Sequence, residues 1–435
     1  MNSKFSKFQI ITLLVFGLFI VVGVATFAFY KGNSSSSTLT AITVWGTFPK
    51  NTFDQYVVKI SNNSSPQINV TYTQKTPDIF ISSLISALAR GQGPDAILIP
   101  TELLLPLEDK LALIPYTAMP QRTFLDTYVQ ESNIYINQNG VMGFPFTLDP
   151  LVMYWNRDMF NAAGIATYPK YWDDFTTLNK SLTTKDVNGN LRKSAIALGQ
   201  FSNINNAREI FGSILIQAGN PVTGIDNNGH LSSTLTSANL SVLDPVIKFF
   251  AQFIDPSSVN YSWNKSMPDS KSAFLSGNLA TYFGFASELS DIRTKNPNLN
   301  FDVALLPGPK GVGAGATYGR MYGFSLLRSS PNLDSAFKII SMLSAPEYLG
   351  PLSDGLYLPS VRRDVLANGS TDSYISLFDR AALVSTTWLD ADPAVSGQIF
   401  SDMVQSFASG KKSISQTVQD AGDLYNNALN QALTQ

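Results

Sequence analysis

A chain of 435 residues exceeds the length over which one hydrophobic core usually keeps growing, and points to two globular domains. Charged residues are 14% of the chain, and 30 Lys plus Arg against 32 Asp plus Glu give a formal net charge of -2 with no long basic run, which argues against a nucleic-acid partner. The absence of cysteine excludes disulfides, iron–sulfur clusters, thiolate zinc sites and cysteine nucleophiles, and the single histidine, His230 in the polar turn 226–230, leaves a two-histidine metal site or a Ser-His-Asp machine nothing to build on.

Residues 10–30 carry no charge and are preceded by Lys4 and Lys7. As a helix this run would cover about 30 Å, the thickness of a bilayer core, with the lysine-bearing end in the cytoplasm and everything after Lys31 outside. A secretory signal peptide competes, but the apolar run is long for one, and Thr26-Phe-Ala28 is a poor small-x-small cleavage pattern. The expectation is an uncleaved signal anchor within residues 1–37, continued by the flexible Ser-rich leash Gly32–Ser37.

Beyond the leash, 39–45 predicts a strand ending at Trp45 and Gly46, 52–61 a helix, and 68–73 a second strand. The spacing of Ile81, Leu84, Ile85 and Leu88 predicts a helix over 78–90 that stops at Gly91, and 94–99 a short apolar strand. This alternation defines an α/β fold with a mostly parallel sheet, whose ligands sit at the carboxyl ends of the strands. Further strands are predicted at 151–155, 280–285, 301–306 and 321–327. Helices are predicted opening near 169–175 and over 206–218, 243–253, 334–344, 394–409 and 414–429. Gly311, Gly313 and Gly315 fit a loop better than a phosphate cradle, because no lysine-serine pair follows. No phosphate-binding loop, nucleophile elbow or paired-histidine motif occurs.

Four stretches carry a family likeness: Gly91-Gln-Gly-Pro-Asp95, Gly143–Asp149 running into Tyr154–Phe160, Ala163-Gly164 to Pro169-x-x-Trp172, and Phe274-x-x-Gly277-x-x-Ala280. With Gly323-Phe-Ser, Leu358-Pro-Ser360 and Ser409-Gly-Lys411, they follow the order seen in family 1 extracellular solute-binding proteins. The chain resembles this family over about residues 40–430. Its members are the sugar-binding receptors of ABC importers, with the maltose-binding protein as the familiar one. The resemblance implies a two-lobed periplasmic-binding-protein-like fold of type II, preceded here by the N-terminal transmembrane helix. Lobe one is expected from 38–147 with 300–352, and lobe two from 148–299 with 353–435. It also implies a monomer that encloses a sugar-like ligand between its lobes and hands it to a permease, with no cofactor or metal and no catalytic residue.

A sugar presents hydroxyls and a C–H ring face, so its site combines directional polar groups with aromatic walls. Trp45, at the end of the first strand, is a stacking candidate. Asp149 stands where the maltose receptor has a hydroxyl-binding carboxylate, Glu102 at the matching place after the Pro94-Asp95 strand, and Trp388 where the family carries a cleft aromatic from the second lobe. Phe285, Ser287 and the neighbouring Glu288 occupy a turn where the family often has a tryptophan. Tyr318 and Arg320 precede the strand 321–327, the arginine offering a fork of donors. Ile99 replaces a stacking aromatic of the maltose receptor, which argues against a maltodextrin ligand. Asp95, Trp155 and Trp172 read as structural. Two rival readings remain: an anchored carbohydrate-active enzyme using Glu102 and Asp149 as acid and nucleophile, and a surface adhesion or sensing module using the same cleft.

Overall fold

A computed structural model describes residues 41–434 except 64–68 and 312–314. The apolar segment 10–30, its leash and Gly313 lie outside the described residues, and among those described no helix is long and apolar enough to cross a membrane.

The strands in chain order are β1 (Ile42–Gly46), β2 (Val70–Gln74), β3 (Ala96–Pro100), β4 (Ile114–Pro115), β5 (Ile136–Asn137), β6 (Gly140–Val141), β7 (Phe144–Asn156) and β8 (Thr184–Lys185). They continue as β9 (Leu191–Ile196), β10 (Thr223–Ile225), β11 (Leu231–Ser233), β12 (Leu279–Phe285), β13 (Phe301–Ala304), β14 (Thr317–Leu326) and β15 (Ser385–Thr386). The main sheet runs β2-β1-β3-β14-β7-β12-β9-β8, with β13 also pairing β7 and β15 also pairing β14. β1 pairs in parallel with β2 and β3, as the strand-helix-strand alternation requires, while β14 enters antiparallel to β3 and to β7.

Two separate hydrophobic cores flank this sheet. The first gathers Val44, Phe80, Leu98, Phe146, Phe324 and Ile340, and the second Val152, Phe175, Phe211, Phe250, Phe283 and Phe400. β7 is buried at every one of its 13 positions, because it leaves one core and enters the other without reaching the surface. Leu148 belongs to the first core and Leu151 to the second; on β14, Tyr318 belongs to the second and Met321 to the first. A third crossing lies between Leu358, in the second core, and Val361, in the first. Against the expected return to lobe one at residue 300, Val303, Ala304 and Leu306 pack in the second core, because β13 pairs with the far half of β7.

Local chemistry accounts for several element ends. β7 stops where the Asn156 side chain accepts the Met159 N–H and caps the helix Arg157–Ala162. Asp392 accepts the N–H groups of Ala394 and Val395, with Pro393 in the first turn of the helix Pro393–Ala408. The helix Pro77–Ala89 buries Phe80, Leu84 and Ala87 and leaves Ile85 exposed, so its buried stripe is rotated from the one that the leucine and isoleucine spacing suggested. β14 begins at Thr317, ahead of the expected 321, which makes Tyr318 and Arg320 strand residues.

Asp95 anchors the first lobe. Its carboxylate accepts from the Thr43 backbone at 2.8 Å and hydroxyl at 3.0 Å, from the Ser330 hydroxyl at 2.6 Å and from the Asn332 amide at 3.1 Å. Burial pushes its pKa up, but these donors outweigh burial and hold it below the usual 3.8. The stability this contributes is therefore present above that ordinary value and lost as pH falls through the lower folded one. Asp95→Ala leaves the donors unsatisfied and should destabilise the protein by about 2–4 kcal/mol at neutral pH, with the difference from wild type shrinking in acid; urea denaturation across pH checks both.

Candidate ligand-binding site

The crossing of β7 and β14 is where charged side chains gather. In the antiparallel register Arg320 faces Asp149, with Met321 opposite Leu148 and Gly319 opposite Pro150. The Asp149 carboxylate accepts the Ser287 backbone N–H at 2.9 Å and its hydroxyl at 2.6 Å, tying the crossing to the turn that follows β12. Burial pushes the Asp149 pKa up to about 6, against the lowering effect of Ser287 and of the nearby Arg320. The Arg320 guanidinium lies 4.1 Å over the Phe285 ring, and its Nε is 3.6 Å from Glu102 Oε1. That same carboxylate oxygen accepts the Tyr318 hydroxyl at 2.6 Å.

Beneath this layer the second lobe carries a buried ionic cluster. Arg208 donates to Glu209 Oε1 at 2.9 Å, to Ser396 at 2.8 Å and to Asp390. Its guanidinium covers the Trp388 ring at 4.6 Å and the Tyr318 ring at 5.6 Å. The Trp388 indole N–H donates to the Tyr425 hydroxyl at 2.9 Å, and that hydroxyl donates to Asp390 at 2.8 Å. Burial opposes the charge on Arg208, but Tyr318, Asp390 and Glu209 outweigh it and hold the pKa well above the usual value.

An open cavity of about 600 Å³ adjoins both layers, with Asn206, Arg208, Glu209, Arg320, Gln398 and Asp402 in its lining. It combines donor forks, carboxylates and side-chain amides, the inventory that pairs with hydroxyl groups.

The structure thus brings Glu102, Asp149, Phe285, Ser287, Tyr318, Arg320 and Trp388 into one contiguous cluster. Trp45 is not in it: its half-buried ring packs against the first core with the Lys75 ammonium 4.1 Å over one face. Of the residues in the cluster, only Arg320 lines the cavity. Tyr318 and Trp388 are enclosed, so the Trp388 face expected to meet a sugar meets Arg208 instead. Phe285 is likewise buried under Arg320. Glu288 closes its own turn, accepting the Phe285 N–H and the Tyr282 hydroxyl. Ile99, Trp155 and Trp172 are buried, and His230 is exposed in its turn. Arg208 and Glu209 were not anticipated. Their signal was legible as two adjacent charges in the otherwise apolar helix Ala207–Gln217, a pattern a buried helix tolerates only when the charges are paired.

Residues 47–349 match the family of bacterial extracellular solute-binding proteins, and the chain belongs to that family. Its fold is similar to the cyclic α-maltosyl-1,6-maltose binding protein of Arthrobacter globiformis, at 17% identity and TM-score 0.72 over 90% of this chain and 99% of that one. It is also similar to the sugar-binding protein MalE of Xanthomonas citri, at 18% identity and TM-score 0.70 over 90% and 98% of the two chains. A third similar structure is a solute-binding protein of Thermotoga lettingae bound with α-D-tagatose, at 17% identity and TM-score 0.66 over 89% and 99%. The family is one of binding proteins rather than enzymes, and the reading of Glu102 and Asp149 as a hydrolytic pair falls with it. Both carboxylates are buried and neither lines the cavity.

Removing the central cation leaves two acids enclosed without compensation. Arg208→Met should destabilise the protein by about 3–5 kcal/mol in urea denaturation, and Arg208→Lys, which keeps the charge but not the fork, by less.

Proposed function

We propose that this protein is a membrane-tethered extracytoplasmic receptor that captures a sugar or similar polyhydroxylated solute between its lobes and delivers it to an ABC permease. The carrying observation is Arg320. Among the described residues its guanidinium makes no hydrogen bond, yet it is stacked on Phe285 beside a 4.1 Å ring contact and opens on the cavity. A guanidinium held flat, ion-paired with Glu102 at 3.6 Å but not hydrogen-bonded to it, keeps its donors for oxygens that a ligand brings. Glu209, Asp402, Asn206 and Gln398 supply the complementary acceptors and amides.

In this reading the bound solute is neutral. Arg208 and Arg320 are already faced by Glu102, Asp149, Glu209 and Asp390, so an added carboxylate would meet more negative than positive charge. Tyr318, Phe285 and Trp388 hold the two arginines from beneath. Lobe closure turns on the three crossings, and its population is shifted by the solute's greater affinity for the closed state. The strand order β2-β1-β3-β14-β7 accords with the type II arrangement. The protein acts as a monomer, with residues 10–30 as signal anchor and the Ser-rich leash holding it near its permease.

Calorimetry with a panel of neutral sugars, including maltotetraose, mannobiose and tagatose, should find a ligand that binds without being converted. Arg320→Ala should weaken that ligand about 10- to 100-fold while leaving the circular dichroism spectrum intact, and an unchanged affinity would remove Arg320 from the site. The chain has no native cysteine, so Ser35→Cys provides a single topological reporter. It should react with a membrane-impermeant maleimide on intact cells, in a protein of unprocessed mass.

A further inference from the structure

Glu131 lies on the short 3₁₀ helix Gln130–Tyr135 of the first lobe and is 3% exposed. Among the described residues neither of its carboxyl oxygens has a hydrogen-bond partner, and Glu102 Oε2 and the Tyr135 hydroxyl nearby are likewise without one. A buried carboxylate normally has a cation or several donors around it. Glu131 has instead the backbone of Gly319: a Cβ added there would stand 2.1 Å from Glu131 Oε2 and 2.8 Å from Leu148 Cδ1.

The surroundings of this side chain are the three crossings themselves. Gly319 is on β14 between Tyr318 of the second core and Met321 of the first, and Leu148 is the last first-core residue of β7. The turn that carries Glu131 opens at Val129, whose N–H donates at 3.0 Å to the Val361 carbonyl on the third crossing. It also packs against β15 of the second lobe. Titratable and charged groups around it are Glu102 after β3, Tyr135 on its own turn, Tyr318 and Arg320 on either side of Gly319, and Asp149 across from Arg320 on β7. None of them bonds it.

We propose that Glu131 is a proton-binding site at the hinge, and that closing the lobes around a solute takes up a proton there. The inference rests on the capture reading above. We take the arrangement described above as the closed one; in it burial, with a smaller contribution from Glu102, raises the Glu131 pKa well above the usual 4.5. When the lobes swing apart about the crossings and water reaches the carboxyl, its pKa returns toward that ordinary value. The sign follows from linkage. The closed form holds the extra proton, so closure is favoured in full below about pH 4.5 and loses about tenfold in equilibrium constant for each pH unit above it, until the closed-state pKa is reached. Solute would thus be held more tightly in an acidic medium and released more readily as pH rises.

The test measures proton uptake directly. Calorimetry of the full chain with maltotetraose, or whichever sugar of the panel binds, is run at about pH 7 in buffers of different ionisation enthalpy; wild type should take up a measurable fraction of a proton more than Glu131→Gln. The variant should also bind more tightly than wild type at that pH and lose the steep pH dependence, whereas Asp149→Asn, which removes the neighbouring titration near 6, should keep the uptake. Equal proton counts in wild type and Glu131→Gln would overturn the proposal, even if both variants differ in pH-dependent stability, because that difference is what a carboxyl buried in open and closed forms alike would give. If no sugar on the panel binds, the capture reading fails, and small-angle scattering of the unliganded protein still judges Glu131. Wild type should expand as pH rises while Glu131→Gln stays compact, and identical profiles would refute the site.

Discussion

The antiparallel pairing of β7 with β14 is the constraint from which the rest of the molecule follows. These two strands belong to both lobes at once, and their register places Arg320 against Asp149 at the point where one core gives way to the other. Because the backbone hydrogen bonds continue across that point, the lobes share one sheet while keeping two separate hydrophobic interiors. Polar side chains at the crossing cannot enter either core, and the space beside them becomes the cavity. Arg320 is the residue of this strand pair that reaches the cavity, whose other walls come from the segments 201–209 and 393–405.

Charge at this junction is arranged in layers. Arg208 is fully committed to Asp390, Glu209 and Ser396 and serves as a rigid base, with two aromatic rings beneath its plane. Arg320, one level up, has a ring beneath it and an ion pair with Glu102 but, among the described residues, no hydrogen-bonded partner, and it alone of the anticipated residues lines the open space. A low-dielectric surround strengthens each of these interactions and penalises each omission. That contrast separates a guanidinium committed to the fold from one that faces open space.

Much of this was legible before the fold was known. Alternating strands and helices in the first hundred residues gave the parallel β1–β3 unit, and the helices 394–409 and 414–429 reappear within a few residues of the expected bounds. What failed to show was long-range. Nothing local to Phe144–Pro150 distinguishes a strand that traverses two cores from a loop leading into a shorter one, because its composition changes from Phe-Pro-Phe-Thr to Leu-Val-Met-Tyr. The stacking role assigned to Trp388 depended on its ring being uncovered, and only the fold reveals Arg208 lying over it from a segment distant in sequence. Glu131 passed unnoticed for the same reason: a glutamate in a polar turn reads as solvated until the backbone of Gly319 is seen pressed against it.

The placement of β14 also governs how the chain is assembled. β3 finds its antiparallel neighbour only when Tyr322–Leu326 arrives, more than two hundred residues downstream of Ala96–Pro100. Until then the growing polypeptide carries an apolar strand with one unsatisfied edge, and the two lobes are interleaved along the chain rather than following one another. Such distant pairings fold slowly and leave sticky edges open in the meantime. Synthesis from the amino terminus therefore cannot complete the lobes one after the other, and the nascent chain must be sheltered until nearly three quarters of it has emerged.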